Sequence, residues 1–241
     1  MTFVHEAFLA GLTAPRPAYA HSGRSRLYVS EFGRCPRRAM LRILNYQPSA
    51  PFAPTLLEAM GLGMAYEMDS AIQLSKSCPT LIQQLTLANS TWSGKADFMI
   101  PGKLDTIIEH KGANSQWFDY QGKLPQHENV SQVWLYGELY KEIHHKPVRL
   151  ILYYRAWGHY AEFEIEADPN GDVVTCTGLV DGEKRTRSWE AGLGVMRRFM
   201  EEHYAAGTVP ELPACGANEK DGCLWRGEPS CGYHAQCWGP K

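Results

Sequence analysis

The spacing of apolar residues changes from a helical to a strand period near residue 80. Between Thr55 and Lys76 apolar residues return every three or four positions, which predicts a helix with Thr55 and Glu58 as a capping box. The next stretch, up to Lys111, contains three short apolar runs, "LIQQLTLA", "TWSGKADFMI" and "DTIIEHK". These runs predict three strands, the last two joined by a hairpin turn at Pro101-Gly102-Lys103.

The remaining pattern predicts further helices and strands around this hairpin. We expect a helix starting near Ser30 in "SEFGRCPRRAMLRIL", and another in "QHENVSQVWLYGELYKEIHH". Two strands, "RLILYYRAW" and "YAEFEIEA", and a last helix, "SWEAGLGVMRRFMEEHYAAG", follow. The order predicts an α/β fold with a mixed central sheet flanked by helices. The predicted segments are a leader at 1–29, a core at 30–207 and a cysteine-rich segment at 208–241.

Composition indicates a globular protein without a membrane anchor. The chain has 241 residues, 44% hydrophobic and 21% charged. Its first residues lack a basic region followed by an apolar core, and no apolar run approaches the ~18 residues needed to span a bilayer. We therefore expect a cytoplasmic protein with no membrane partner. The net charge is −2, yet the stretch 24–42 holds six arginines against one acid, which suits contact with phosphates.

Cysteines are concentrated at the end of the chain. Four of the seven fall within the last 27 residues, at Cys215, Cys223, Cys231 and Cys237. In a cytosolic chain a cysteine cluster of this kind indicates metal or iron–sulfur ligation more than disulfides.

Two acids and a lysine interrupt the apolar strands of the predicted hairpin. Asp97 lies in one strand, and Glu109 and Lys111 lie in the next. Since side chains alternate along a strand, Glu109 and Lys111 should share one face, and the His110 side chain should point into the fold. Carboxylates suit Mg²⁺, and a lysine beside them can orient a metal-bound water. The alternative is a strand that simply surfaces into solvent.

Two helices add polar residues that could join this group. Glu67 shares a helical stripe with Met60, Met64 and Ala71, where a carboxylate is costly unless it meets a cation. Gln132 and Tyr136 lie four residues apart on one helix face, about twenty residues after Lys111. Each spacing alone arises easily by chance; their order along the chain is informative.

These motifs together resemble the PD-(D/E)XK nuclease superfamily, in its RecB-like branch. Asp97 with Glu109-His110-Lys111 matches the core motif, Gly63 and Glu67 match its helix, and "QVWLY" matches its Q-x-x-x-Y pair. The resemblance implies a restriction-endonuclease-like core with Mg²⁺ or Mn²⁺. It implies that Glu67, Asp97, Glu109 and the His110 backbone carbonyl hold the metal. Lys111 would position the attacking water, and Gln132 and Tyr136 would steady the site.

The cysteines extend the resemblance to a branch that carries an iron–sulfur cluster, including the AddB nuclease domain and the CRISPR-adaptation exonucleases. "GRCPRRAML" around Cys35 is similar to the N-terminal segment of that branch. The resemblance implies a [4Fe–4S] cluster on Cys35, Cys223, Cys231 and Cys237 that joins the two ends of the core. The seven residues between Cys223 and Cys231 depart from the usual spacing, which leaves Cys215 as an alternative ligand. A zinc site made of the four tail cysteines is the rival, while Cys78 and Cys176 are expected to be ordinary apolar residues.

The resemblance implies a metal-dependent DNA exonuclease acting on single-stranded or duplex ends, in phage recombination, DNA processing or CRISPR adaptation. Arg34, Arg37 and Arg38 would contact backbone phosphates, and the aromatic run Trp117, Phe118 and Tyr120 could stack on a base. One alternative is a DNA-end-binding recombination or adaptation partner with weak or no nuclease activity. Another is a structural zinc protein. Polarity, exonuclease against endonuclease or flap action, and oligomeric state stay open, although some relatives of this branch close into rings.

Overall fold

The computed structural model of this chain describes residues 25–46, 54–113, 115, 118, 124–211, 224–225 and 228–229. The helices are α1 (Pro36–Ile43), α2 (Pro54–Ser77), α3 (His127–His144) and α4 (Leu193–Ala206), with a 3-10 helix at Val29–Glu31. The strands are β1 (Leu27–Tyr28), β2 (Ile82–Ala88), β3 (Trp92–Ile100), β4 (Asp105–Gly112), β5 (Val148–Ala156), β6 (His159–Ala167), β7 (Val173–Val180) and β8 (Glu183–Glu190). A separate pair, β9 (Leu224–Trp225) and β10 (Glu228–Pro229), follows.

Strands β1 to β8 form one mixed sheet. Its order is β1-β3-β4-β5-β6-β7-β8, with β2 paired to β3. The pairs β1–β3 and β4–β5 are parallel, and the other neighbours are antiparallel. Parallel β4 and β5 need a crossover connection, and α3 supplies it. The predicted α/β class, with a mixed sheet flanked by helices, is confirmed.

The sheet opens between two neighbours of β3. Strand β2 pairs along nearly the whole of one side of β3, from Ser93 to Met99. On the other side β1 pairs with Trp92 and Ser93, whereas β4 pairs only with Phe98, Met99 and Ile100. Within the part of the chain that the structure describes, the stretch 94–97 of β3 therefore has no strand partner on that side. Its polar groups must be satisfied by other means.

Helices α2 and α3 contact opposite faces of the central strands. The side chain of Glu109 on β4 meets α3 through Gln132. Arg155 on β5, in register with Gly112, points to the other face and pairs with Asp69 of α2. A Cβ on Gly112 would lie 2.8 Å from the Cα of Gly63, so glycine at 112 permits the close approach of α2 to the end of β4.

The C-terminal half differs from its prediction. The segment 173–190 forms the hairpin β7–β8, and Ser188, Trp189 and Glu190 lie in a strand where the sequence pattern predicted the start of a helix. The physical reason is the turn: Asp181 and Gly182 both take positive φ, 48° and 86°, as the favoured two-residue hairpin turn requires. The helix begins only at Leu193, after Gly192.

The two ends of the described core lie together. The guanidinium of Arg37 donates to the carbonyl oxygen of Pro210 at 2.6 Å, and the Tyr204 hydroxyl contacts the Ser25 carbonyl. The N-terminal helix starts at Pro36, later than the Ser30 expected from its pattern. Among the described residues, no helix is both long and apolar enough to span a membrane.

Candidate active site

A buried carboxylate on β4 forms the centre of the site. Glu109 is 2% exposed, and its Oε1 accepts hydrogen bonds from Lys111 Nζ at 2.6 Å and from Gln132 Nε2 at 2.7 Å. Strand alternation brings Glu109 and Lys111 to one face, and the crossover helix α3 brings Gln132 over it. Its other oxygen, Oε2, is buried and has no hydrogen-bond partner in the described structure. A buried carboxylate oxygen without a partner is destabilising, so this arrangement needs an explanation.

Side chains take over the backbone hydrogen bonds where the sheet opens. Asp97 Oδ2 accepts from the backbone N–H of His110 at 2.8 Å. The Tyr136 hydroxyl donates to the carbonyl oxygen of Lys95 at 2.7 Å and lies 3.5 Å from Gln132 Nε2. The opening therefore brings Asp97 next to the β4 segment that carries Glu109, and Tyr136 ties α3 to β3.

Gln84 connects two of the acids and was not singled out by the sequence. Its Nε2 donates to Glu67 Oε1 at 2.9 Å and lies 3.4 Å from Asp97 Oδ1. It lies opposite Asp97 in the β2–β3 register, between the pairs Gln83–Phe98 and Leu85–Ala96. Its φ is +53°, an uncommon value for a strand residue other than glycine. Strained residues of this kind concentrate at functional sites. The sequence signal that could have identified Gln84 is a side-chain amide within an apolar strand, at the position opposite Asp97 in the hairpin.

The acids share an unfavourable electrostatic environment. Burial raises the pKa of Glu109 to about 7; Asp97 and Glu67 add to this rise and Lys111 opposes it. Burial also raises the pKa of Asp97, against Lys111 and the His110 N–H, and it raises that of Glu67 with help from Asp97. Desolvated like charges raise carboxyl pKa values until a cation compensates them.

The donor set suits a hard divalent cation. Three carboxylates, one with an unpartnered buried oxygen, are the oxygen ligands that Mg²⁺ and Mn²⁺ prefer. Across the described residues, however, no group of three or more His, Cys, Asp or Glu side chains converges as a metal site. Glu67 and Asp97 meet through the Gln84 amide, while Glu109 meets Lys111. The chemistry fits a metal, and the ligand groups are separated into these two hydrogen-bonded sets.

His110 lies outside this arrangement. Its ring contacts Tyr153 of β5, with centroids 5.6 Å apart. Burial lowers its pKa to about 4, and Lys111 and Arg155 act in the same direction. A neutral ring on the opposite face is consistent with the expectation that its side chain takes no part in proton transfer.

The arginines expected to contact DNA have different environments. Arg37 donates to Pro210, and Arg38 lies 3.7 Å from the buried Glu31. Arg34 is exposed as a residue, yet partial burial of its guanidinium and the nearby charge of Arg38 lower its pKa, while Glu128 and Glu109 oppose this shift. Of the three, Arg34 is therefore the one whose side chain is exposed within electrostatic range of the site.

The described cysteines are Cys35, Cys78 and Cys176. Cys35 is half-buried and precedes α1 as its N-cap. Cys176 is fully buried on β7, and burial raises its pKa to about 12. The tail cysteines at positions 215, 223, 231 and 237 lie outside the described residues, as do Trp117 and Tyr120. Phe118 is buried and stacks on His159, with centroids 5.2 Å apart.

Comparisons with protein-family models, with curated proteins and with solved structures find no match for this chain. The functional assignment therefore depends on the residues and the geometry described above.

Proposed function

We propose that this chain is a divalent-metal-dependent deoxyribonuclease, an exonuclease that hydrolyses phosphodiester bonds at DNA ends in the cytoplasm. The observation that carries the proposal is Glu109, a buried carboxylate with one unpartnered oxygen, contacting Lys111 and Gln132 beside Asp97. The resemblance to PD-(D/E)XK nucleases adds support, and with it we propose a restriction-endonuclease-like core. Recombination, DNA processing and CRISPR adaptation are all compatible settings.

A divalent ion held by Glu67, Asp97 and Glu109 would supply Lewis-acid activation of a water and of the phosphate. The protein groups have separate tasks. Lys111 Nζ, 2.6 Å from Glu109, can hold the attacking water and stabilise negative charge on the phosphate. Gln132 fixes Glu109 Oε1, and the His110 N–H fixes Asp97 Oδ2. The exposed Arg34 can contact a neighbouring phosphate.

The test is digestion of end-labelled single- and double-stranded DNA with Mg²⁺ or Mn²⁺. We expect metal-dependent loss of label by the wild-type protein and a loss of activity of roughly 100-fold or more in Lys111→Ala, because the variant lacks the group that positions the water. Lys103→Ala, an exposed lysine of the β3–β4 turn, is the matched control and should keep wild-type activity. Equal activity of Lys111→Ala and wild type would contradict the proposal.

We further propose a [4Fe–4S] cluster on Cys35 and three tail cysteines. The supporting observation is the contact of Arg37, two residues after Cys35, with Pro210, five residues before Cys215. Iron and sulfide content after anaerobic purification tests it. Cys35→Ser should lose the iron, whereas Cys78→Ser should keep it. One tightly held zinc in place of iron would support the rival site of four tail cysteines.

A DNA-end-binding partner with weak or no hydrolysis is the second candidate. The absence, among the described residues, of a converged group of three metal ligands favours it. Binding of DNA ends without metal-dependent loss of label would establish this candidate in place of the nuclease.

A further inference from the structure

Trp157 is the most exposed large apolar side chain in the described structure, at 86%. It forms, with Gly158, the two-residue turn between β5 and β6. Gly158 has φ +74°, a value that favours glycine and makes this tight turn possible. The flat, exposed ring of a tryptophan is well suited to binding a flat partner.

The turn that carries Trp157 is held firmly. The next residue after Gly158, His159, pairs with Asp181 of the β7–β8 turn at 2.8 Å and stacks on the buried Phe118. Asp181 also accepts from the Tyr160 N–H at 2.9 Å, and its own N–H donates to the Tyr160 carbonyl. Two neighbouring hairpin turns are thereby joined through one aspartate. A rigidly presented ring loses less entropy when it binds than a mobile one.

The turn lies at the same edge of the sheet as the candidate active site. Strands β4 and β5 are parallel, and Lys111 is in register with Tyr154, three residues before Trp157. Three residues of strand place the Trp157 backbone about 10 Å beyond Lys111 along the strand direction, which is roughly three nucleotide steps of a stacked DNA strand.

The surroundings of the turn suit a strand of nucleic acid. Tyr160 is 44% exposed beside it. Lys184 and Arg185 lie at the start of β8, directly after the joined β7–β8 turn. The acid of this turn, Asp181, faces His159, whereas Glu183 lies near Arg185 at 3.8 Å. Aromatic rings next to cationic side chains form the usual surface for unpaired bases.

We propose that Trp157 stacks on an unpaired base within about three nucleotides of the scissile phosphate, so that the substrate is DNA with a single-stranded end. This inference rests on the proposed nuclease function, which it makes more specific. Fully paired blunt ends offer no such base, because their bases are stacked within the duplex.

The test has a binding part and a kinetic part. For binding, 2-aminopurine is placed at successive positions from the end of an overhang. The DNA is mixed with Lys111→Ala protein, which the proposed function predicts to bind DNA without hydrolysing it. We expect quenching at positions near the end, lost in the double variant with Trp157→Ala and retained with Trp157→Phe. Leu104→Ala removes an exposed apolar side chain from the turn at the opposite edge and is the matched control.

For kinetics, hydrolysis of overhanging and blunt DNA is compared in proteins with Lys111 intact. Trp157→Ala should lower kcat/KM for the overhang by roughly ten-fold and change that for the blunt end by less than about two-fold, since one stacking contact is removed. Unchanged quenching or an unchanged overhang-to-blunt ratio in Trp157→Ala would overturn the inference while leaving the nuclease intact. Quenching that depends on Trp157, without hydrolysis by wild type, would retain the stacking site and refute the nuclease. No binding of any DNA would overturn both.

Discussion

Strand β4 carries two buried acids on one face, and the two differ in how many hydrogen-bond partners their oxygens have. Asp105 begins the strand and Glu109 lies four residues later, so alternation points both side chains to the side of α3. Asp105 is fully partnered: its Oδ2 accepts from the Tyr140 hydroxyl at 2.5 Å and pairs with Lys146, and its Oδ1 accepts from the Gly102 N–H at 3.0 Å. Glu109 keeps one oxygen, Oε2, without a hydrogen-bond partner among the described residues.

The pKa values of the two acids follow this difference. Hydrogen bonds from Lys146 and Tyr140 lower the pKa of Asp105, whereas burial raises that of Glu109 to about 7. Ionised Asp105 therefore stabilises the fold, and ionised Glu109 destabilises it. An acid with a structural role has hydrogen-bond partners within the protein for both oxygens. An acid that lacks a partner for one oxygen, at the opening of the sheet, is suited to bind a ligand such as a cation.

The largest expected change in stability is the loss of the satisfied acid. Asp105→Asn should lower the free energy of unfolding at pH 7 by about 3 kcal/mol, because it removes the charge that strengthens the hydrogen bonds from Tyr140 and Lys146. The folded pKa is lowered, so this contribution is present above about pH 3.8 and is lost as the pH falls through the folded value. Urea unfolding at pH 7 and pH 3 measures it. A variant as stable as wild type at pH 7 would contradict the structural role.

Glu109→Gln should change the free energy of unfolding in the opposite direction, raising it where Asp105→Asn lowers it. The folded pKa of Glu109 lies above its ordinary 4.5, so its stabilising contribution is complete below about pH 4.5 and lost as the pH rises through about 7. Without metal, the amide variant should have the higher free energy of unfolding at pH 8. The gain over wild type is at most about 3 kcal/mol, since each unit of the pKa shift corresponds to 1.36 kcal/mol.

Thermal unfolding in chelator at pH 5 and pH 8 checks this prediction. Added Mn²⁺ should raise the Tm of wild type and have less effect on Glu109→Gln, because metal binding compensates the buried charge. A Glu109→Gln variant less stable than wild type at pH 8 in chelator would show that the carboxylate is structural, like Asp105.

The smallest expected change concerns the strained residue. Gln84→Gly should stabilise the fold by less than about 1 kcal/mol. Glycine adopts φ +53° without strain, but its greater freedom in the unfolded chain offsets part of this gain. It also removes the amide between Glu67 and Asp97, so the affinity for Mn²⁺ should change. Urea unfolding and metal titration of the same protein measure both effects. A loss of stability in Gln84→Gly would contradict this prediction and show that the side-chain hydrogen bonds of Gln84 stabilise the fold more than its backbone strain destabilises it.

Short-range periodicity explains which parts of the site could be predicted. Strand alternation is enough to bring Glu109 and Lys111 together, and a helical turn is enough to align Gln132 with Tyr136. Gln84 depends on the register of the β2–β3 hairpin and on one backbone angle, and neither is readable from residue types alone.

The fold shows the same limit at the β7–β8 hairpin. The segment 173–180 carries β-branched residues before Asp181-Gly182, which is a strong hairpin signal. The apolar spacing of the last helix nevertheless predicts a helix start near residue 188, five residues before its observed start at Leu193. From the sequence, Trp157 is predicted only as the last apolar residue of the strand "RLILYYRAW". Its place at the same edge of the sheet as the candidate active site follows only from the parallel pairing of β4 with β5.

The most direct test of the account compares the two acids of β4 in one assay, Mn²⁺-dependent hydrolysis of end-labelled single-stranded DNA. Asp105→Asn and Glu109→Gln are measured at equal concentrations of folded protein, at a temperature where both are native. We predict activity within about two-fold of wild type for Asp105→Asn, and a loss of roughly 1000-fold for Glu109→Gln, because only the second removes a proposed metal ligand. Equal activities of the two variants would contradict the assignment of the active site to the opening between β3 and β4.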